Sequence, residues 1–252
     1  MTKKSTYKEL KPSSELQEFV HSFWMHKNNS DKYVPATISP DSFFKIIFIV
    51  SNSEIINYFM TGLWTEQKDF SFPPNATVYG CRLKLLAPEF LLGNEIASIR
   101  NKLKQLNLSY LNIENFNLSE FETAVKQWEV ELLKTKPEKA IPGNKIRLSQ
   151  LLYKVNGGIS VSEVSEQIYW ASRQINRYLN KYLGVSLKTY LSIQRCYDSY
   201  IHIREGRLYP EKNYYDQAHF IREVKKHTGK TPRVLNELQN DQFIQLKNIQ
   251  KK

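Results

Sequence analysis

"HFIREVKKHTGKTP", residues 219–232, has the spacing of an amphipathic helix that stops at Gly229. Phe220, Ile221 and Val224 make an apolar stripe, and His219, Arg222, Lys225, Lys226 and His227 surround it. Sliding the chain by 45 residues lays this stretch over "QINRYLNKYLGVSL", residues 174–187. Ile175 then matches Phe220, Arg177 matches Arg222, Leu179 matches Val224, Lys181 matches Lys226 and Gly184 matches Gly229. At about 100° per residue the apolar pair takes one side of both helices. The other side carries Arg173, Arg177, Asn180 and Lys181 in the first copy, and His219, Arg222, Lys225 and Lys226 in the second. An ordinary solvated face mixes signs, and these stripes hold almost no acid. Two cationic, hydrogen-bonding helices of like design are what base edges and phosphates in a major groove require.

Charge along the chain agrees. The 252 residues carry a formal net charge of +11. Residues 1–140 hold 17 Lys and Arg against 16 Asp and Glu, whereas 141–252 hold 19 against 9. A neutral half joined to a basic half points to a polyanionic partner for the second. With 41% apolar and 24% charged residues the chain reads as globular. No stretch approaches the ~18 apolar residues of a membrane span, so no membrane is expected. The N-terminus has no apolar run behind its lysines, so no secretory signal is expected. Cys81 and Cys196 are the only cysteines, which suggests a reducing compartment and a cytoplasmic protein.

The expected fold is α+β, with a boundary in "KTKPEKAIPGNK" (134–145) separating residues 1–138 from 139–252. Residues 33–86 look strand-rich: "FFKIIFIV" (43–50), "EIINYFM" (54–60) and "TVYGCRLKLL" (77–86), the last alternating Tyr79, Cys81, Leu83 and Leu85 with Arg82 and Lys84. "EFLLGNEIASIRNKLKQL" and "SEFETAVKQWEVELL" have helical spacing, and Phe121, Val125, Trp128 and Leu132 fit a core face or a dimer seam. The second half reads as all helix. Ser160 and Glu163 form a capping box, "YWA" (169–171) turns, a second helix ends at Gly184, and a longer one runs from about Ser186 to Arg204.

These residues resemble the DNA-binding region of the AraC-type (arabinose-operon) transcription regulators, which has two helix-turn-helix units bridged by a long helix. "DQAHFIREVKKHTGKTP" (216–232) and "SRQINRYLNKYLGVSLKTYL" (172–191) carry the resemblance, over roughly 155–235. "FVHSFWMHK", "SPDSFFKIIF", "MTGLW" and "VYGCRLKLLAPEFLLG" are similar to an uncharacterised N-terminal domain preceding that region in a group of bacterial regulators. The family's more familiar sensing domain is a cupin-like β-barrel, and whether this half shares it stays open. Two departures stand out. The second unit's support helix falls on "EGRLYPEKN" (205–213), where Gly206 and Pro210 leave room for about one turn. Ala171 occupies the family's serine N-cap, so Ser172 takes that task or the helix starts frayed.

The resemblance implies a cytoplasmic regulator that binds double-stranded DNA and needs no cofactor. Further partners it implies are a small-molecule effector, a second copy of the chain and RNA polymerase. In the first unit Arg173, Asn176 and Arg177 suit base edges, with Gln174 and Lys181 on phosphates. In the second, Gln217 and Arg222 read, while His219, Lys225 and Lys226 face the backbone; Arg222 alternatively bonds a carboxylate between helices. No phosphate-loop, dinucleotide or nucleophile-elbow pattern occurs, and the five histidines lack metal spacing. Asp41, after a proline, suits a turn. The competing classes are an enzyme with a β-barrel catalytic domain and a basic nucleic-acid-binding appendage, and an architectural protein that coats nucleic acid without choosing sequence.

Overall fold

Aromatic and β-branched residues dominate three of the strands in the first half, at 34–38, 44–51 and 54–61. The computed structural model describes residues 5–210 and 214–238. Its strands are β1 (Ser5–Leu10), β2 (Val20–Asn28), β3 (Val34–Ile38), β4 (Phe44–Ser51), β5 (Glu54–Thr61), β6 (Lys68–Phe72), β7 (Thr77–Leu83) and β8 (Leu103–Gln105). Its helices are α1 (Ala87–Phe90), α2 (Phe121–Thr135), α3 (Gly143–Val155), α4 (Val161–Ile168), α5 (Ser172–Leu183), α6 (Leu187–Arg204), α7 (Gln217–Thr228) and α8 (Pro232–Glu237).

Six strands form one antiparallel sheet in the order β1-β2-β7-β4-β5-β8, and β3 pairs with β6 in a separate ribbon. Among the described residues the large sheet is open in its hydrogen bonding, with β1 and β8 at its edges. Both of its faces are covered. Phe23, Phe44, Ile46, Phe48, Tyr58, Tyr79 and Cys81 share a core with Phe121, Val125, Trp128 and Leu132 of α2. That apolar stripe is therefore core rather than a dimer seam. On the opposite face Trp24, Ile47, Ile49, Phe59 and Val78 meet Ala36 and Phe72 of the ribbon. Gly80, on β7, lies under the Trp24 ring, and a Cβ there would overlap the indole.

Two local expectations fail. Arg82 is not a solvent-facing member of β7 but is 7% exposed, pairing through Nη1 with Glu9 Oε1 at 2.9 Å. Asp41, 1% exposed, does accept the Phe43 amide as a turn residue should, yet it also binds Lys45 Nζ at 2.8 Å. Burial lowers the Lys45 pKa in spite of that carboxylate. The second failure is "EFLLGNEIASIRNKLKQL". Only α1 and one 3-10 turn (Ala97–Ile99) form there, because Gly93 and Asn101 take left-handed φ and residues 103–105 extend beside β5.

In the second half the capping box is present: Glu163 N donates to Ser160 Oγ, and Ser160 N to the Glu163 carboxylate. Tyr169 ends α4 and Gly184 ends α5, both left-handed. Ala171 caps α5 with backbone alone, and Ser172 does not replace the missing side chain. Residues 205–210 form no helix, as the glycine and proline there imply; residues 211–213 of the expected support segment lie outside the described residues, as do 1–4 and 239–252. Among the described residues no helix is long and apolar enough to cross a membrane.

The core continues past the 134–145 connection. Leu148, Leu152, Val164, Ile168, Ile175, Leu179, Leu187 and Tyr190 belong to the same cluster as the sheet. Tyrosine hydroxyls sew the halves together: Tyr190 donates to Ser42 O at 3.2 Å and Tyr200 to Pro40 O at 3.3 Å.

Candidate nucleic-acid interface

α5 and α7 each bury one side and expose the other. Ile175, Leu179 and Leu183 of α5 are at most 1% exposed. Phe220 and Val224 of α7 sink among Cys196, Tyr200, Ile203 and Leu235, held by α6 and α8. Asp216 caps α7, its carboxylate accepting the His219 amide at 2.6 Å, and Gly229 closes it in the left-handed region.

The outward sides are basic. Arg173, Gln174, Arg177, Asn180 and Lys181 are exposed on α5, and Arg222, Lys225 and Lys226 on α7. Arg173, Arg177 and Arg222 make no ion pair with other described residues. The structural alternative for Arg222 is taken by its neighbour instead: Glu223 pairs with Arg195 at 3.3 Å and accepts from Ser192. Lys181 lies 3.5 Å from Glu95, an exposed pair that contributes little.

Two side chains depart from the expected roles. Asn176 is half-buried, donating through Nδ2 to Ser172 O at 2.9 Å and accepting the Leu187 amide at 2.9 Å. It braces the start of α6 rather than pointing outward to read adenine. Gln217 likewise donates to Leu208 O at 2.9 Å, which holds the 205–210 segment against α7. His219 is half-buried, and its Nδ1 accepts the Tyr215 amide at 3.2 Å, which places the ring proton on Nε2. Asn176 and Gln217 each found backbone partners, an option spacing cannot reveal.

His227 turns inward altogether. It is 1% exposed, with Nδ1 2.9 Å from Thr65 O and Nε2 2.7 Å from Ser192 Oγ, and burial lowers its pKa. The far end of α5 also meets the first half: Ile96 N donates to Tyr182 O at 3.0 Å and Arg100 Nη1 to Gly184 O at 2.7 Å. Both basic helices are thus tied to the first half by their C-terminal ends, and their N-terminal ends follow the short loops at 169–171 and 214–216. Two exposed rings stand there that helical periodicity passes over, Tyr169 before α5 and Tyr215 before α7.

Residues 8–104 match a family model described as "Domain of unknown function (DUF6597)". The match lies within the half whose sequence resembles an uncharacterised domain, and it covers less than half of the chain. No curated protein matches. Solved structures of ToxT from Vibrio cholerae are similar at low identity. One, from strain O395, is 10% identical, covers 98% of this chain and 99% of its own, and superposes with a TM-score of 0.43. Another, bound to (E)-4-(8-methylnaphthalen-1-yl)but-3-enoic acid, is 10% identical, covers 94% of this chain and 100% of its own, with a TM-score of 0.45. A likeness at this level decides nothing about what the chain binds.

Proposed function

We propose that the chain is a sequence-specific, duplex-DNA-binding transcription regulator. Residues 139–252 hold the DNA, and residues 1–138 sense an effector or mediate association. One observation carries this: α5 and α7, flanking the single helix α6, each expose an arginine at the matching position, Arg177 and Arg222, within a face almost empty of acid. The two helices enter successive major-groove segments, about 34 Å apart. Arg173 and Arg177 face base edges, where the guanidinium fork suits guanine O6 and N7. Arg222 does the same from α7, while Gln174, Lys181, Lys225 and Lys226 take phosphates.

Selection of bound sites from a random duplex pool tests the proposal, followed by competition against random DNA at two salt concentrations. A recovered consensus with strongly salt-dependent affinity is expected. Equal affinity for every sequence would make the chain an architectural coat instead. Arg177→Ala should weaken the selected site by about 1–3 kcal/mol and random DNA far less. An equal loss on both would remove the base-reading role.

A further inference from the structure

We propose that Tyr169 and Tyr215 are phosphate contacts at the rims of the two DNA-reading helices, each phenol hydroxyl donating to a backbone phosphate. The inference rests on the preceding proposal that the chain binds duplex DNA, and it adds a pair of uncharged residues to that surface. Tyr169 is 92% and Tyr215 is 93% exposed, more than any other large apolar side chain among the described residues. Each belongs to an aromatic dipeptide, Tyr169-Trp170 or Tyr214-Tyr215, placed just ahead of a basic helix. Within each dipeptide the two rings do different things. Trp170 packs on Tyr178 of α5 with ring centroids 5.7 Å apart, and Tyr214 packs on Phe220 of α7 at 5.0 Å. Those two rings fasten the helix starts, as apolar residues ahead of a helix commonly do. Their neighbours fasten nothing and stand in water.

The backbone makes the retention of Tyr169 harder to explain by folding. Its φ is 53°, a left-handed cap for which glycine is the natural residue, and glycines 184 and 229 fill that place after α5 and α7. A tyrosine here keeps a ring that nothing inside the protein uses. The surroundings select the partner. Arg173 and Arg177 follow Tyr169 on α5, and Arg222 and Lys226 follow Tyr215 on α7, all exposed. Asp216, the acid beside Tyr215, is occupied in capping the His219 amide. A neutral donor ahead of the first helical turn lies at the edge of the reading face, where phosphates rather than base edges come within reach. Hydrogen bonds to such a charged acceptor are the stronger kind.

An uncharged donor leaves a particular signature. It adds affinity without releasing counterions, so its loss lowers binding without changing the salt dependence. The test uses the full chain with Tyr169→Phe, Tyr215→Phe and Tyr169→Gly, a selected duplex and a random duplex of equal length, at two salt concentrations. Each variant is expected to bind both duplexes about tenfold more weakly, with an unchanged slope of log affinity against log salt. Tyr169→Gly should melt no lower than the parent, since glycine accepts this φ, which separates lost contact from lost folding. Unchanged affinity in the two phenylalanine variants would overturn the inference while leaving the regulator proposal standing. A loss confined to the selected duplex would overturn it too, by placing the rings on bases. A parent chain that binds neither duplex would remove the regulator proposal and this inference together.

Discussion

The side-chain amide of Asn176 bridges two helices, tying Ser172 O in α5 to the amide of the fully buried Leu187 at the start of α6. Alanine there would strand a buried N–H, at about 1–2 kcal/mol. Tm is expected to fall by roughly 2–4 °C per kcal/mol in a chain of this size, with DNA discrimination kept. An unchanged Tm with lost discrimination would restore the base-reading role. His21 makes a second residue-scale expectation. It stacks on Phe43 at 4.4 Å, and burial, then the nearby Arg82, lowers its pKa to about 3. The folded chain therefore holds a neutral ring where the unfolded chain, near 6.5, takes a proton. The stability this contributes is present above pH 6.5 and is lost as pH falls toward 3. His227 adds to the loss with the same sign. The urea midpoint should drop between pH 7 and pH 5, before carboxylates titrate, and drop less in His21→Phe. Equal midpoints at the two pH values in the parent would contradict the neutral buried rings.

Helix boundaries were legible because their chemistry is local. Ser160 with Glu163, Gly184 and Gly229 announce three of them, and each behaves as its type requires. Ser160→Ala is expected to cost about 1 kcal/mol, read as a lower Tm with DNA affinity little changed, because α4 supports α5 without presenting the basic face. A fall in affinity as large as that of Arg177→Ala would show that α4 does more than support. The segment at 89–106 was illegible for the converse reason. Its apolar spacing fits a helix, but β5 offers an unpaired edge and the C-terminal end of α5 offers carbonyls, and both partners are distant in sequence. Tertiary hydrogen bonds outweighed local periodicity.

At the scale of the whole molecule the connection at 134–145 divides charge but not packing. A single apolar cluster runs from Phe23 and Trp128 to Tyr190 and Leu191. The described residues are accordingly expected to unfold in one calorimetric transition, and two separate transitions would contradict the shared core. The docking of both basic helices by their C-terminal ends, α5 on residues 96–100 and α7 on Thr65, is likewise a property of the assembled chain. By itself the sequence determined the helix periods and the caps, which depend on residues within a few turns of one another, and the segregation of charge and the duplicated basic face, which are read by counting and by sliding the chain on itself. Only the tertiary structure decided that Arg82 and His227 are buried, that Asn176 and Gln217 serve the fold, and that Tyr169 and Tyr215 stand in water. Those outcomes depend on which distant backbone groups arrive beside a side chain, and no local pattern encodes that.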